Sequence, residues 1–364
     1  MHTVTIVRDR VSYGPYNEEQ AVAYYAAGQI LRNDLARIDT STTEMTFKKA
    51  VSKCGWKLPC PFAPWKVFWR MGIWSIFPLG KTCLKDLVKS HKVQLIVLAG
   101  ILPLMALVLS ASPEVKEAAK EIPKVTALLK TQYTIIALQA SILWGMVFWA
   151  MFKTESSSGK IGICCFCVTA LFSVLIILQF VLHGALYSIG LFETSEAWCK
   201  SGSLGVRFVG NFFRAGLPEE ICKAFVIFLI VRRPGAVLKP QDVVLYGLLS
   251  GFGFGIKEGL DYQMTTNREA GNVDAIYVLN FIRLTSCPFL HACWCGISSY
   301  FIAYAAIAPM YRYGLWILAI LIPATLHSAY NAFPGVFKVV SAAFGIVLMF
   351  AYLHEAKNLR RKLL

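Results

Sequence analysis

Charge is scarce in this 364-residue chain: 16% of it is charged, against about 25% in an ordinary soluble domain. Hydrophobic residues make up 56%. So apolar a composition excludes a soluble globular fold and points to a polytopic membrane protein. Acid is scarcer than base, 21 Asp and Glu against 36 Lys and Arg, for a net charge of +15. The excess base sits beside apolar runs, where it suits membrane topology and anionic lipid, and no nucleic-acid partner is expected. Paired-cysteine motifs are lacking too. Of the 11 cysteines, Cys164, Cys165, Cys167, Cys222, Cys287, Cys293 and Cys295 lie in apolar segments, where cysteine behaves as a small hydrophobe. Cys54 and Cys60, in CGWKLPC, have no second pair to complete a zinc site. The first 90 residues hold no basic-then-apolar leader, so no signal peptide is expected.

What is present falls into unlike parts. Residues 1–52 are of mixed polarity, beginning with a β-prone HTVTIV. Pro15 after Gly14 marks a turn, Asn17 suits a helix N-cap, and Gly28 ends a helical pattern begun at Glu18. The segment reads as a small soluble α+β module. With Gly14, Pro15 and Tyr16, a short helix, and Gly28, Gln29 and Ile30 leading into NDLARI, it resembles the bacterial GYF-like domain. That resemblance implies a peptide or protein partner for the module. Residues 53–92 are dense in Trp, Phe, Pro and Lys, which suits an interfacial linker with a surface-lying helix.

Beyond it, apolar runs of about 20 residues, enough to cross a hydrocarbon core of about 30 Å, recur near 93–111, 132–152, 161–186, 207–231, 242–262, 277–307, 313–333 and 335–353. The expected fold is therefore an all-α polytopic membrane protein of about eight transmembrane helices with the small N-terminal module. Its divisions are 1–52, 53–92, a first helical part at 93–200, a second at 201–354 and a basic tail at 355–364. Eight crossings put both termini on one side. Lys81, Lys85, Lys89, Lys92, Lys153, Lys160, Arg232, Arg233, Lys239, Arg312 and the tail cations then share that side, which the positive-inside rule makes the cytoplasm. The stretch SPEVKEAAKEIPKVTALLK, with four lysines among three glutamates, is expected as an external amphipathic helix.

Ionisable residues inside the later runs carry the functional signal. Each costs about 2.5–3.5 kcal/mol on insertion scales, so several together are expected to face one shared interior. Lys223 lies three and four residues after Glu220 and Glu219, on one helix face. In YGLLSGFGFGIKEGLDY, Gly247, Gly251, Gly255 and Gly259 recur every fourth residue, a smooth stripe that lets another helix approach. The run lacks the preceding strand of a dinucleotide fingerprint. Phe254 and Glu258 are four apart on this helix. Pro288 is expected to kink the next, between Arg283 and His291, and His327 and Asn331 share a face of the one after. Two carboxylates with two imidazoles are the ligand types of a divalent metal, leaving a further carboxylate to take a proton from water. The same groups suit metal-free hydrolysis, with a glutamate activating water and His and Asn donating to an oxyanion. A proton- or ion-coupled transporter uses such side chains too, and a scaffold would merely anchor the module. These alternatives stay open on the residues alone.

Four motifs in order add a resemblance. EEICK at 219–223 matches EExxK, FGIKE at 254–258 matches FxxxE, a histidine follows Arg283 and Pro288, and HSAYN at 327–331 completes the set. Over roughly residues 205–333 the chain resembles the PrsW family of intramembrane proteases, distantly similar to the CAAX prenyl proteases and Abi proteins. The resemblance implies hydrolysis of a membrane-associated protein or peptide substrate within the bilayer, in some members to start a stress response. It implies catalytic roles for Glu219, Glu220, Lys223, Glu258, His291, His327 and Asn331. Glu219 or Glu220 would activate water or ligate metal, Lys223 would keep the glutamates ionised, Phe254 would orient Glu258, and Asn331 would donate to the oxyanion. Zinc or another divalent metal, if the site uses one, would be held by Glu219, Glu258, His291 and His327.

Overall fold

The computed structural model describes residues 2–8, 10–81, 91, 144–171, 173–233, 239–269 and 273–362. The expected crossing at 93–111, most of that at 132–152 and the external lysine–glutamate helix lie outside the described residues.

The N-terminal module is a four-stranded antiparallel sheet in the order β2-β1-β3-β4, formed by β1 (Val4–Arg8), β2 (Val11–Tyr16), β3 (Leu35–Ile38) and β4 (Met45–Thr46). Alternation in VTIVR turns Val4 and Ile6 inward, against Tyr25 of α1 (Glu18–Ala26) and Phe47 of α2 (Phe47–Lys53). Helix α1 starts as its sequence predicts, on a capping box in which the Asn17 side chain accepts from the Gln20 N–H and Gln20 reciprocates. It stops before Gly28, whose φ of 78° only glycine adopts freely. The aromatic linker contributes α3 (Pro64–Met71) and a short α4 (Ile73–Ile76). Trp65 and Trp69 of α3 are exposed while Val67 is buried against Gly314, an arrangement suited to the headgroup layer.

The membrane body comprises α5 (144–152), α6 (Gly159–Leu171), α7 (Ser173–Ser188), α8 (Leu191–Cys199), α9 (Leu204–Asn211), α10 (Leu217–Val231), α11 (Pro240–Glu269), α12 (Val273–Ile307), α13 (Arg312–Ala332) and α14 (Gly335–Lys362). Four segments among the described residues are long and apolar enough to cross a membrane: Pro240–Leu260, Cys287–Ile307, Arg312–Ala332 and Gly335–Lys357. The expected crossing at 207–231 is helical throughout but irregular: α9 passes into α10 through a π-helical turn at Phe212–Gly216. Pro218 is the physical reason: it has no N–H to return to the Arg214 carbonyl, and its ring crowds that turn. The carbonyl meets His183 Nε2 instead, at 3.2 Å.

Small residues bring the helices into contact. A Cβ on Gly247 would fall 1.9 Å from Ser299 Oγ, one on Gly251 2.1 Å from the His291 carbonyl, and one on Gly255 2.5 Å from the Pro288 Cα. The glycine stripe of α11 therefore lies directly on α12. Gly216 does the same for the approach to α13, where a Cβ would sit 2.3 Å from Ser328 Oγ. Helix α12 runs on through Pro288 from Val273 to Ile307. Away from this seam, buried Asp242 at the start of α11 accepts from Thr154 Oγ1 at 2.7 Å and from Ser156 and Ser157 hydroxyls at 2.5 Å each, pinning the 153–158 loop.

Candidate functional site

The close approaches place four helix faces around one point. From α10 come Glu219, Glu220 and Lys223, which are buried although each is ionisable. Glu258 comes from α11, His291 from α12 and His327 from α13. Lys223 Nζ donates to Glu220 Oε1 at 2.6 Å and lies 2.8 Å from His291 Nδ1. His291 Nε2 is 2.6 Å from Glu258 Oε2. His327 Nδ1 is 3.0 Å from Glu220 Oε1 and 3.8 Å from Glu219 Oε2.

The donor inventory sets the protons. An ammonium only donates, so Nδ1 of His291 accepts from Lys223, and Nε2 carries the proton given to Glu258. Two carboxylate oxygens are left over: Glu219 Oε2 and Glu220 Oε2 are buried without a hydrogen-bond partner. Buried unpartnered acceptors are costly and are expected to face a proton donor or a cation.

Aromatic rings wall the cluster. Trp294 stacks on His327 at 4.4 Å between centroids and meets His291 edge-on at 5.3 Å. Phe254 packs on the His291 ring at 5.4 Å, and its face lies 4.9 Å from Lys223 Nζ. Phe254 thus steadies His291 and Lys223 as well as marking the turn before Glu258. Sequence reasoning passed over Trp294; the signal was its place three residues after His291, on the same helix face. It also left Cys287 as a plain hydrophobe, whereas its thiol points at Glu258 Oε2 from 3.5 Å.

Asn331 does not join these contacts. It shares the face of His327 but sits a turn further along, about 6 Å at 1.5 Å per residue, where it is exposed near the end of α13. His183 is engaged at the π turn and takes no part. The side chains of Asp261 and Arg283 lie outside the described residues.

Depth follows from the contacts of the module. Asn33 Nδ2 donates to the carbonyls of Val231 and Arg233, both at 3.2 Å, and the Phe62 N–H donates to the Met310 carbonyl at 2.8 Å. The module therefore rests on the 231–233 and 307–312 ends of α10, α12 and α13. Glu220, Glu258, His291 and His327 are 11 to 18 residues from the ends on that side, or about 17–27 Å at helical rise. The cluster lies well along the helices from the ends that the module touches.

A family model described as PrsW family intramembrane metalloprotease matches residues 157–354, more than half of the chain. The chain belongs to the PrsW family. Neither a curated protein nor a solved structure matches it. Membership in this family, with the four apolar helices, makes the chain an integral membrane protein of an intramembrane protease family, whose substrates are membrane proteins.

The word metalloprotease asks whether the PrsW-family residues fit a cation, and they do. Ligand atoms of Glu219, His291 and His327 lie within 4.8 Å of one another, and those of Glu258, Cys287 and His291 form a second such group. Carboxylate and imidazole together are a zinc-type donor set, and Glu219 Oε2, which accepts no hydrogen bond, supplies a free lone pair. His291 belongs to both groups, so the four ligands expected from the sequence divide into two overlapping sets.

Proposed function

We propose that the chain is an intramembrane peptidase that hydrolyses a peptide bond of a membrane-associated protein, using water activated by a glutamate. The observation that carries the reading is the convergence of three carboxylates, two imidazoles and one lysine from four helices, with two carboxylate oxygens in the interior accepting no hydrogen bond. A network built only for pairing would leave neither oxygen free. The transporter alternative is less well supported, since the family whose model matches is one of proteases.

Lys223 keeps Glu220 ionised, and Glu220 in turn holds His327 Nδ1. Glu258 orients His291 in the way a carboxylate fixes a ligand imidazole. Zinc or a similar divalent cation, held by Glu219, His291 and His327, supplies Lewis acidity and an acidified water when bound. Glu258, whose side chain is 20% exposed, is the carboxylate outside that ligand set and would be the one available to accept a proton. A cation on His291 would displace either Lys223 from Nδ1 or the proton carried on Nε2, and only the second route releases a proton. That engagement of both nitrogens favours a second, metal-free reading, in which Glu219 takes the proton directly and His327 donates to the oxyanion. Asn331 reaches the oxyanion only when substrate occupies the turn beyond His327.

The basic flanks support a module and both termini in the cytoplasm, which would turn the cluster toward the opposite surface. The module is read as GYF-like, recruiting a peptide or protein through exposed Tyr13 and Tyr24. The 1–52, 53–92, 93–200, 201–354 and 355–364 divisions stand as the proposed domain plan.

The test is cleavage of transmembrane peptides in proteoliposomes by wild type, Glu219→Gln and His327→Ala, with metal analysis of each. Loss of cleavage in both variants at near-native stability is expected. Full cleavage by both variants would locate the chemistry elsewhere. A stoichiometric ion lost in His327→Ala, with activity removed by chelator, selects the metal reading; chelator-resistant activity selects the metal-free one.

A further inference from the structure

A cavity of about 280 Å³ lies where the module meets the membrane body. The module contributes Arg32 and Lys48 to its wall, and the body contributes Arg232 and Arg312. Among the described residues no Asp or Glu lines it. Four cations without a carboxylate make a strongly positive pocket, and the N-terminus of the 21-residue α13, which begins at Arg312, adds the positive end of a helix dipole. Arg312 is 9% exposed, and its Nε is buried without a hydrogen-bond partner; Arg32 Nε is in the same condition. The one hydrogen bond from the Arg312 guanidinium is to Tyr313 Oη, at 2.9 Å. The rings of Phe228 and Trp316, with aliphatic residues such as Val231 and Ile302, form an apolar part of the wall on the body side.

Unpartnered buried guanidinium N–H groups call for an anion, and a planar fork suits the oxygens of a phosphate. The position says which phosphate. The cavity lies at the end of the bundle where α3 packs through Val67 on Gly314, beside the lining residues Arg312, Tyr313 and Trp316, and α3 leaves Trp65 and Trp69 exposed, as suits a headgroup layer. A wall part cationic and part aromatic matches a headgroup with the start of its acyl chains, where a free phosphate would need only the cations. We propose that this pocket binds the phosphate headgroup of an anionic phospholipid. The lipid bridges Arg32 and Lys48 on the module to Arg232 and Arg312 on the body, and so holds the module against the membrane surface.

The test uses the full chain in phosphatidylcholine nanodiscs with and without phosphatidylglycerol, with retained lipid identified by native mass spectrometry. Wild type is expected to retain phosphatidylglycerol over phosphatidylcholine by about tenfold, the scale of one or two charge-assisted hydrogen bonds. Lys48→Gln with Arg232→Gln changes only exposed side chains, the one packing contact touched being that of Arg232 with the Phe228 ring, and is expected to reduce the preference severalfold. Arg32→Gln with Arg312→Gln is expected to abolish it. Equal retention of the two lipids by wild type, or a preference unchanged in the exposed-site variant, would overturn the proposal. Displacement of the retained lipid by millimolar inorganic phosphate would make the ligand a soluble phosphate, and displacement by an acidic peptide would make the pocket a peptide site; either result overturns the lipid assignment.

Discussion

Lys223 is fully buried in a protein core that faces lipid, and its ammonium is tolerable there only because Glu220 Oε1 and His291 Nδ1 both lie within 2.8 Å. Breaking one partner of a buried ion pair costs about 3–5 kcal/mol, since the other charge is stranded. Glu220→Gln is therefore expected to lower thermal stability by that order. Glu219→Gln is expected to cost little, because Glu219 Oε2 has no hydrogen bond to lose. Unfolding of the two variants in the same detergent checks the contrast, and equal losses would refute it. The two neighbouring glutamates look equivalent in EEICK. Their roles separate only through the partners that other helices bring.

Helix α11 lies on α12 because three glycines in a row along one face leave room for it. A Cβ at Gly251 would press into the His291 carbonyl from 2.1 Å, against backbone that cannot rotate away. Gly251→Ala is expected to cost about 1–3 kcal/mol as overpacking and to lower cleavage more than stability, since the displaced helix turn carries His291. An alanine variant with native thermal stability and native cleavage would show that the helices have slack. At the loop end of the same helix, Asp242→Ala strands the Thr154, Ser156 and Ser157 hydroxyls. It is expected to cost about 1–3 kcal/mol and to raise hydrogen exchange at 153–158 without lowering cleavage. The glycine stripe was legible as a period of four in the sequence. The Asp242 anchor was not, because its hydroxyl partners are 85–88 residues away and polar residues at the end of a span look like ordinary interface.

At the scale of the whole molecule the module and the membrane body are one contact surface, and the site sits well along the helices from it. Gly28 adopts a positive φ and touches the body directly: a Cβ there would meet the Ile307 carbonyl at 2.3 Å. Gly28→Val is expected to lift the module from the helix ends, seen as faster proteolysis within 53–63, while the cluster's own contacts stay intact. Unchanged proteolysis would mean that the hydrogen bonds of Asn33 and Phe62 suffice. Within the module, the Thr3 N–H at 2.8 Å, with His2 beside it, holds the Asp39 carboxyl below the usual carboxylate range. A lowered folded value means stability that is fully present above about pH 3.9 and lost as pH falls through the folded value. Hydrogen exchange of strand β1 in wild type and Asp39→Asn is expected to differ at neutral pH and to converge in acid. A constant difference across that range would remove Asp39 from the account.

The sequence by itself determined the lipid-soluble class, the capped helix and turn of the module, and the order of polar motifs along four late apolar runs. Those are properties of period, composition and local stereochemistry, which a chain carries before it folds. Only the tertiary structure decided that Trp294 walls the cluster, that Asn331 stands outside it, that the helix before Pro218 takes a π turn answered by His183, and that two glutamate oxygens remain without a hydrogen bond. Each of these depends on which residues of distant helices meet, and that is set by close packing of small side chains against backbone rather than by any residue's own preference.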